Sequence, residues 1–181
     1  MIAMPFFSQL QNVCELAGWK AWIEPPEEGA LLAVMYVLVH VDDQGRNYLI
    51  RLVADPEPAA EGGEPSGTRL VDMVLILPFQ VQATAVPDTV RLLNAINLAG
   101  LIGSFALHEA DRLVLLRFAW HVTWADLNPA HAYPLLQRMD YHVRECAPGI
   151  EQVAKGLVDY EQVLAAVGQE MKKIQSAGGA S

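Results

Sequence analysis

From Ala30 to Val41 the chain reads ALLAVMYVLVHV, a run in which only Tyr36 and His40 carry a side-chain nitrogen or oxygen. Its β-branched residues suit a pleated strand, and it falls far short of the roughly 20 residues a bilayer-spanning helix needs. As a strand it puts Leu31, Ala33, Met35, Val37, Val39 and Val41 on one face. Ala30, Leu32, Val34, Tyr36, Leu38 and His40 fall on the other. An antiparallel sheet normally leaves one face to water, so a strand apolar on both faces requires cover on both sides. The segment Arg112 to Val122 repeats the pattern: Val114, Leu116, Phe118, Trp120 and Val122 face one way, and Leu113, Leu115 and Ala119 the other, interrupted by Arg117 and His121. The cover is either the chain's own helices or a partner, a second copy or another protein's apolar segment.

The punctuation around these strands sets the element order. Phe6, Phe7, Leu10, Val13, Cys14 and Ala17 recur at helical spacing, and Gly18 ends that helix. Trp19 to Ile23 is a short strand closed by Pro25 and Pro26. Asp42-Asp43-Gln44-Gly45 turns the long strand into a partner over Arg46–Ala54, an acidic turn followed by a glycine free to take positive φ. Residues Asp55–Thr68 hold three prolines, three glycines and three glutamates, a composition that does not pack. A strand resumes over Arg69–Ala83, where Pro78 removes a ladder donor and marks an edge strand or a bulge. Pro87 opens a helix that Gly100 stops, with Val90, Leu93 and Ile96 or Asn97 inward. Leu101–Leu107 and Arg112–Val122 form a second hairpin. Asn128-Pro129 reads as a helix cap and first turn, although Pro134 can delay the regular helix, and Pro148-Gly149 breaks it.

After the break, Ile150, Val153, Leu157, Tyr160, Leu164, Val167, Met171 and Ile174 alternate spacings of three and four. Gly156 and Gly168 favour close packing against this fold or across a dimer over a free coiled coil. The expected architecture is α+β, an antiparallel sheet with helices packed on it, in the order α-β-β-β-β-α-β-β-α-α. A single domain spans 1–149 with a mobile insertion at 55–68. An amphipathic helix over 150–175 packs on the domain or on a partner, and 176–181 is a frayed tail.

Hydrophobic residues make up 52% of the 181 and charged residues 18%, which excludes a disordered chain. The net charge of −9 repels phosphate and anionic lipid, so neither nucleic acid nor a membrane surface is the expected partner. Cys14 and Cys146 are the only cysteines, too far apart in sequence for a ligand pair. The N-terminus lacks the basic and apolar regions of a signal peptide. A cytoplasmic location follows.

No arrangement of side chains announces a reaction. The five histidines, His40, His108, His121, His131 and His142, form no close ligand pair, and we expect no metal and no cofactor. Cys14 and Cys146 lie on apolar helix faces and read as structural thiols. Asp42-Asp43 and Glu109/Asp111 fall in hairpin turns, where carboxylates stabilise the bend. Trp120, His121, Trp124 and Asp126 are the one polar-aromatic cluster; they line a pocket, or else Trp120 is core, Trp124 covers an edge and Asp126 begins a turn.

Leu93-Asn94-Ala95-Ile96-Asn97, then Gly103-Ser104-Phe105-Ala106-Leu107, a turn and Arg112-Leu113-Val114-Leu115-Leu116-Arg117-Phe118 resemble the YbjN-domain family of bacterial sensory transduction regulators, whose fold is that of type III secretion chaperones. In that family a helix with an L-N-x-x-N signature leads into a hairpin and then a long C-terminal helix. The close likeness covers about residues 86–123, and the element order fits from about 5 to 146. The resemblance implies an acidic, often dimeric α/β sandwich that acts by binding proteins, and it supplies no catalytic residue. Asn94 and Asn97 match the signature, with amides tying the helix to nearby backbone.

The expected function is therefore non-enzymatic: a chaperone-like or adaptor protein, dimeric, that binds a protein partner through apolar sheet and helix surface. The residues expected to carry binding are Leu32, Val34, Tyr36, Leu38, Leu113, Leu115, Leu157, Tyr160 and Leu164. The alternative is a small-ligand-binding protein or enzyme with a pocket at Trp120, His121, Trp124 and Asp126.

Overall fold

Strand alternation, carried through six segments, builds one antiparallel sheet. The computed structural model describes residues 5–26, 32–54, 68–100, 102–123 and 126–167. Along the chain come α1 (Pro5–Leu16), β1 (Lys20–Glu24), β2 (Val34–Val41), β3 (Asn47–Ala54), β4 (Thr68–Gln80), a 3-10 turn at Ala83–Ala85, α2 (Val86–Ala99), β5 (Ser104–His108), β6 (Leu113–Thr123) and α3 (Pro129–Ala154). Residues 160–167 are also helical, here called α4. The fold is thus α+β. Residues 55–67 of the expected insertion, residues 168–175 of the expected C-terminal helix with Met171 and Ile174, the whole 176–181 tail, Ala30 and Leu31 lie outside the described residues.

The sheet runs β1-β2-β3-β4-β6-β5, with every neighbouring pair antiparallel. The helix α2 carries the chain out to the sheet edge, and the tight turn after β5 returns β6 to the place beside β4. The helices α1 and α3 pack against each other on one face of the sheet. Phe7 and Leu10 of α1 and Leu136, Met139 and Val143 of α3 meet Met35, Leu52, Met73 and Leu116 there, all 0% exposed. Each such side chain contributes about 1.5–3 kcal/mol of burial.

Three local features depart from simple periodicity. A bulge between Leu38 and His40 shifts the β2–β3 register, so His40 leaves the face of Tyr36 and Leu38 on which strict alternation puts it. Its ring instead stacks on Tyr48 with centroids 4.0 Å apart, and its Nδ1 lies 2.5 Å from Oδ1 of Asp140 in α3. Pro78 sits in the central strand β4 and not at an edge, at the register shift between Ile76 and Gln80 where no ladder bond is required of it.

The third departure concerns the expected break. The helix α3 begins at Pro129 under the Asn128 cap, whose side chain accepts from the Ala130 amide, and runs straight through Pro134, Pro148 and Gly149. An interior proline costs about 3 kcal/mol. Just past Pro148, Ile150 and Val153 are both completely buried, and together they contribute about 3–6 kcal/mol. Packing outweighs propensity, so the helix ends at Ala154 and residues 150–154 belong to it. Its end is a Schellman motif: Gly156 takes φ +64°, its amide donates to the Val153 carbonyl at 2.8 Å, and that of Leu157 donates to Gln152 at 3.0 Å. The heptad stripe is cut there. Leu157, Leu164 and Val167 are more than half exposed, while Val158, Tyr160 and Val163 turn toward the core.

Candidate functional site

Every side chain that alternation sends away from α1 and α3 lies on a second sheet face, and among the described residues no helix packs over it. The strand register arranges this face in rows. One crosses the strands as Trp22, Tyr36, Arg51, Val74, Arg117 and Ser104. A second runs Lys20, Leu38 and Leu49, then, by the same register, Ile76, Leu115 and Ala106. A third runs Glu24, Val34, Val53, Asp72 and Ala119. Most of the aliphatic members are half-buried by their own neighbours, and Ile76 is 50% exposed.

Polar groups on this face are few and mostly committed. Asp72 accepts from Nε of Arg117 at 2.8 Å. Trp22 stacks on Tyr36, with centroids 5.4 Å apart and planes 18° apart, and its indole N–H donates to Glu24 at 3.4 Å. The β4-β6-β5 half of the face holds a shallow, open depression of about 890 Å³ lined in part by Asp72, Val74, Ala106, Leu115 and Arg117.

The edges of the sheet are held differently. Asn97 in α2 donates from Nδ2 to the Phe105 carbonyl at 2.9 Å and accepts the Phe105 amide at 2.7 Å. Its amide therefore occupies the outward-facing pair of the edge strand β5 as another strand would. At the opposite edge, Gln11 of α1 donates to the Ala21 carbonyl of β1 at 3.2 Å. Asn97 thus ties helix to backbone as its place in the L-N-x-x-N pattern suggests, while Asn94 is exposed.

Of the residues expected to bind a partner, Val34, Tyr36, Leu38, Leu113 and Leu115 come together on the open face. Leu32 precedes β2 and is half-buried. Leu157, Tyr160 and Leu164 do not join them; they gather beyond the end of α3 beside α2. There Arg91 lies 4.2 Å from the Tyr160 ring centroid and donates to Glu161 at 2.6 Å. Trp22, Leu49, Arg51, Val53, Val74 and Ile76 complete the face. Their signal in the sequence is partial: the second faces of β3 and β4 carry Leu49, Val53, Val74 and Ile76, but Arg51 and Asp72 interrupt them where β2 is unbroken.

Among the described residues, Trp120, His121 and Asp126 of the alternative pocket do not converge. Trp120 and His121 are consecutive in β6 and so point to opposite faces. Trp120 packs on Phe6 with ring centroids 6.4 Å apart, whereas His121 is exposed and opposes Leu70. Asp126 accepts from the Thr123 hydroxyl at 2.6 Å, closing a local turn; Trp124 lies outside the described residues. Burial raises the Cys14 thiol to about 11, keeping it protonated, and raises Cys146 as well. Burial lowers the His142 pKa, and its ring packs against Phe105 with centroids 5.2 Å apart. No cluster of three or more metal-ligating side chains occurs among the described residues, and no described helix is long and apolar enough to cross a membrane.

No family model matches the chain, and no curated protein or solved structure matches it.

Proposed function

We propose that this protein is a non-enzymatic protein-binding protein, chaperone-like or adaptor in its action, that docks a partner's apolar segment on the open sheet face. The observation that carries this reading is the pair of rows through Leu38 and Tyr36, largely apolar and bare of any helix among the described residues. The aliphatic side chains of these rows lie next to one another across five strands, and contiguous apolar surface marks interaction sites. The YbjN-domain resemblance, with the type III secretion chaperone-like fold it implies, supports the same reading. On this reading the work lies in the partner bound and not in a bond made or broken.

The test is binding of an environment-sensitive apolar dye, read beside light scattering across a range of concentrations. Leu38→Asp and Leu115→Asp variants that keep the far-UV spectrum should lose most of the dye signal. Unchanged dye binding in both folded variants overturns the assignment of this face. A dimer abolished by either variant identifies a second copy as its occupant.

A further inference from the structure

Arg51 sits in the middle of the open face. Its neighbours across the ladder are Tyr36 and Val74, and those two positions away along its own strand are Leu49 and Val53. Among the described residues no carboxylate lies within ion-pair distance of it; Asp72, the nearest on the lattice of rows, is bonded to Arg117. The described charges of the face are Lys20, Arg51 and Arg117 against Glu24 and Asp72, a net of +1 in a chain that carries −9 overall. Among the described residues this face is therefore slightly cationic, and the charge at its centre that has no ion-pair partner is Arg51.

A partner that covered this face with aliphatic side chains alone would bury the guanidinium without an acceptor, which is costly. One that set a carboxylate against it would form a charge-assisted, bidentate-capable pair. The net charge of the protein does not prevent this, because exposed charges beyond roughly 8 Å are screened at physiological salt.

The form of the partner follows from the edges. With Asn97 and Gln11 engaging the backbone of β5 and β1, strand addition is closed off where those amides sit, leaving the face itself. The row from Leu38 to Ala106 crosses five strands, about 19 Å at ~4.8 Å per strand. A helix of about 13 residues spans that distance.

Resting on the protein-binding reading, we infer that the open face receives an amphipathic helix of a partner protein whose apolar stripe carries one aspartate or glutamate, read by Arg51. The carboxylate belongs on the flank of the stripe toward the Tyr36–Arg51–Val74 row, while leucine-like side chains sit on the row through Leu38 and Leu115.

A displayed library of random 18-residue peptides, selected in parallel on the intact protein, on Arg51→Glu and on Leu38→Asp, tests this. Peptides from the unaltered protein should carry an acidic residue within a helical apolar stripe. They should bind Arg51→Glu at least about tenfold more weakly, and a Lys at the acidic position should restore binding to that variant. Peptides that are lost on Leu38→Asp but indifferent to Arg51→Glu leave the docking face standing and overturn the role of Arg51. An absence of peptides sensitive to Leu38→Asp overturns both.

Discussion

Asn97 offers a direct measure of how the sheet edge is held. Replacing it with Ala removes one amide that both donates to and accepts from the Phe105 backbone, at 2.9 and 2.7 Å. Each bond contributes about 0.5–1.5 kcal/mol net, and a partly buried backbone group left without a partner loses toward the upper end of that range. Alanine returns up to about 0.7 kcal/mol through its better helix propensity at this position in α2. The expected net loss is about 1–2.5 kcal/mol, visible as a lower urea midpoint at unchanged slope. Asn97→Asp separates the two bonds. Its carboxylate still accepts the Phe105 N–H but faces the Phe105 carbonyl with a negative charge, so at pH 7 it should be no better than alanine. Below a pH of about 4 the protonated acid donates again and part of the loss should return. Hydrogen exchange at the Phe105 amide reports the same event locally. A loss below about 0.5 kcal/mol in Asn97→Ala, with Phe105 protection unchanged, refutes the idea that this side chain holds the edge.

Gly103→Ala should cost about 2–4 kcal/mol, because φ is +66° and a Cβ there would stand 2.7 Å from the Arg117 carbonyl oxygen; a thermal shift equivalent to less than about 1 kcal/mol argues against that strain. Glu151 is held at about 2, below the usual carboxylate value, chiefly by the two-pronged bond from Arg46 at 2.7 and 2.8 Å and secondarily by Lys155. A depressed carboxylate contributes stability that is fully present above about pH 4.5 and is lost as the pH falls toward 2. Allowing for solvent screening, Glu151→Gln should lower stability by about 1–2 kcal/mol at pH 7 and flatten the acid limb of the profile; an unchanged profile sinks the assignment. At neutral pH the native protein should alkylate at Cys146 well before Cys14, whose thiol is completely buried and held at about 11; mass spectrometry showing Cys14 modified first refutes it.

Period-two patterning made the strands legible, and the caps at Asn128 and at the Asp42–Gly45 turn were legible from residue type. In that turn Asp42 accepts the amides of Gln44 and Arg46, both at 2.9 Å, and Gly45 takes φ +76°. The features that escaped reading are set by contacts distant in sequence. Pro148-Gly149 looks like a break until Ile150 and Val153 are seen locked in the core. His40 looks like a member of the open face until one extra residue in β2 turns it toward Asp140, a hundred positions away. The open face is legible in β2 and β6 but not across β3, where Arg51 interrupts the apolar alternation. The three-and-four spacing over 150–174 suggests one surface, whereas within the described residues Gly156 divides it.

The placement of β6 between β4 and β5 also shapes how this chain is made. Strand β4 pairs with β6 along nearly its whole length, from Thr68 opposite Thr123 to Gln80 opposite Leu113, whereas β3 covers only Val71 to Leu75. A nascent chain emerging from the ribosome therefore completes β1 to β4 and then waits, with the longest strand of the sheet bare along one side, until β6 has been synthesised. Fragments ending before Thr123 should coaggregate through that unfilled slot, read as turbidity or light scattering against the full chain.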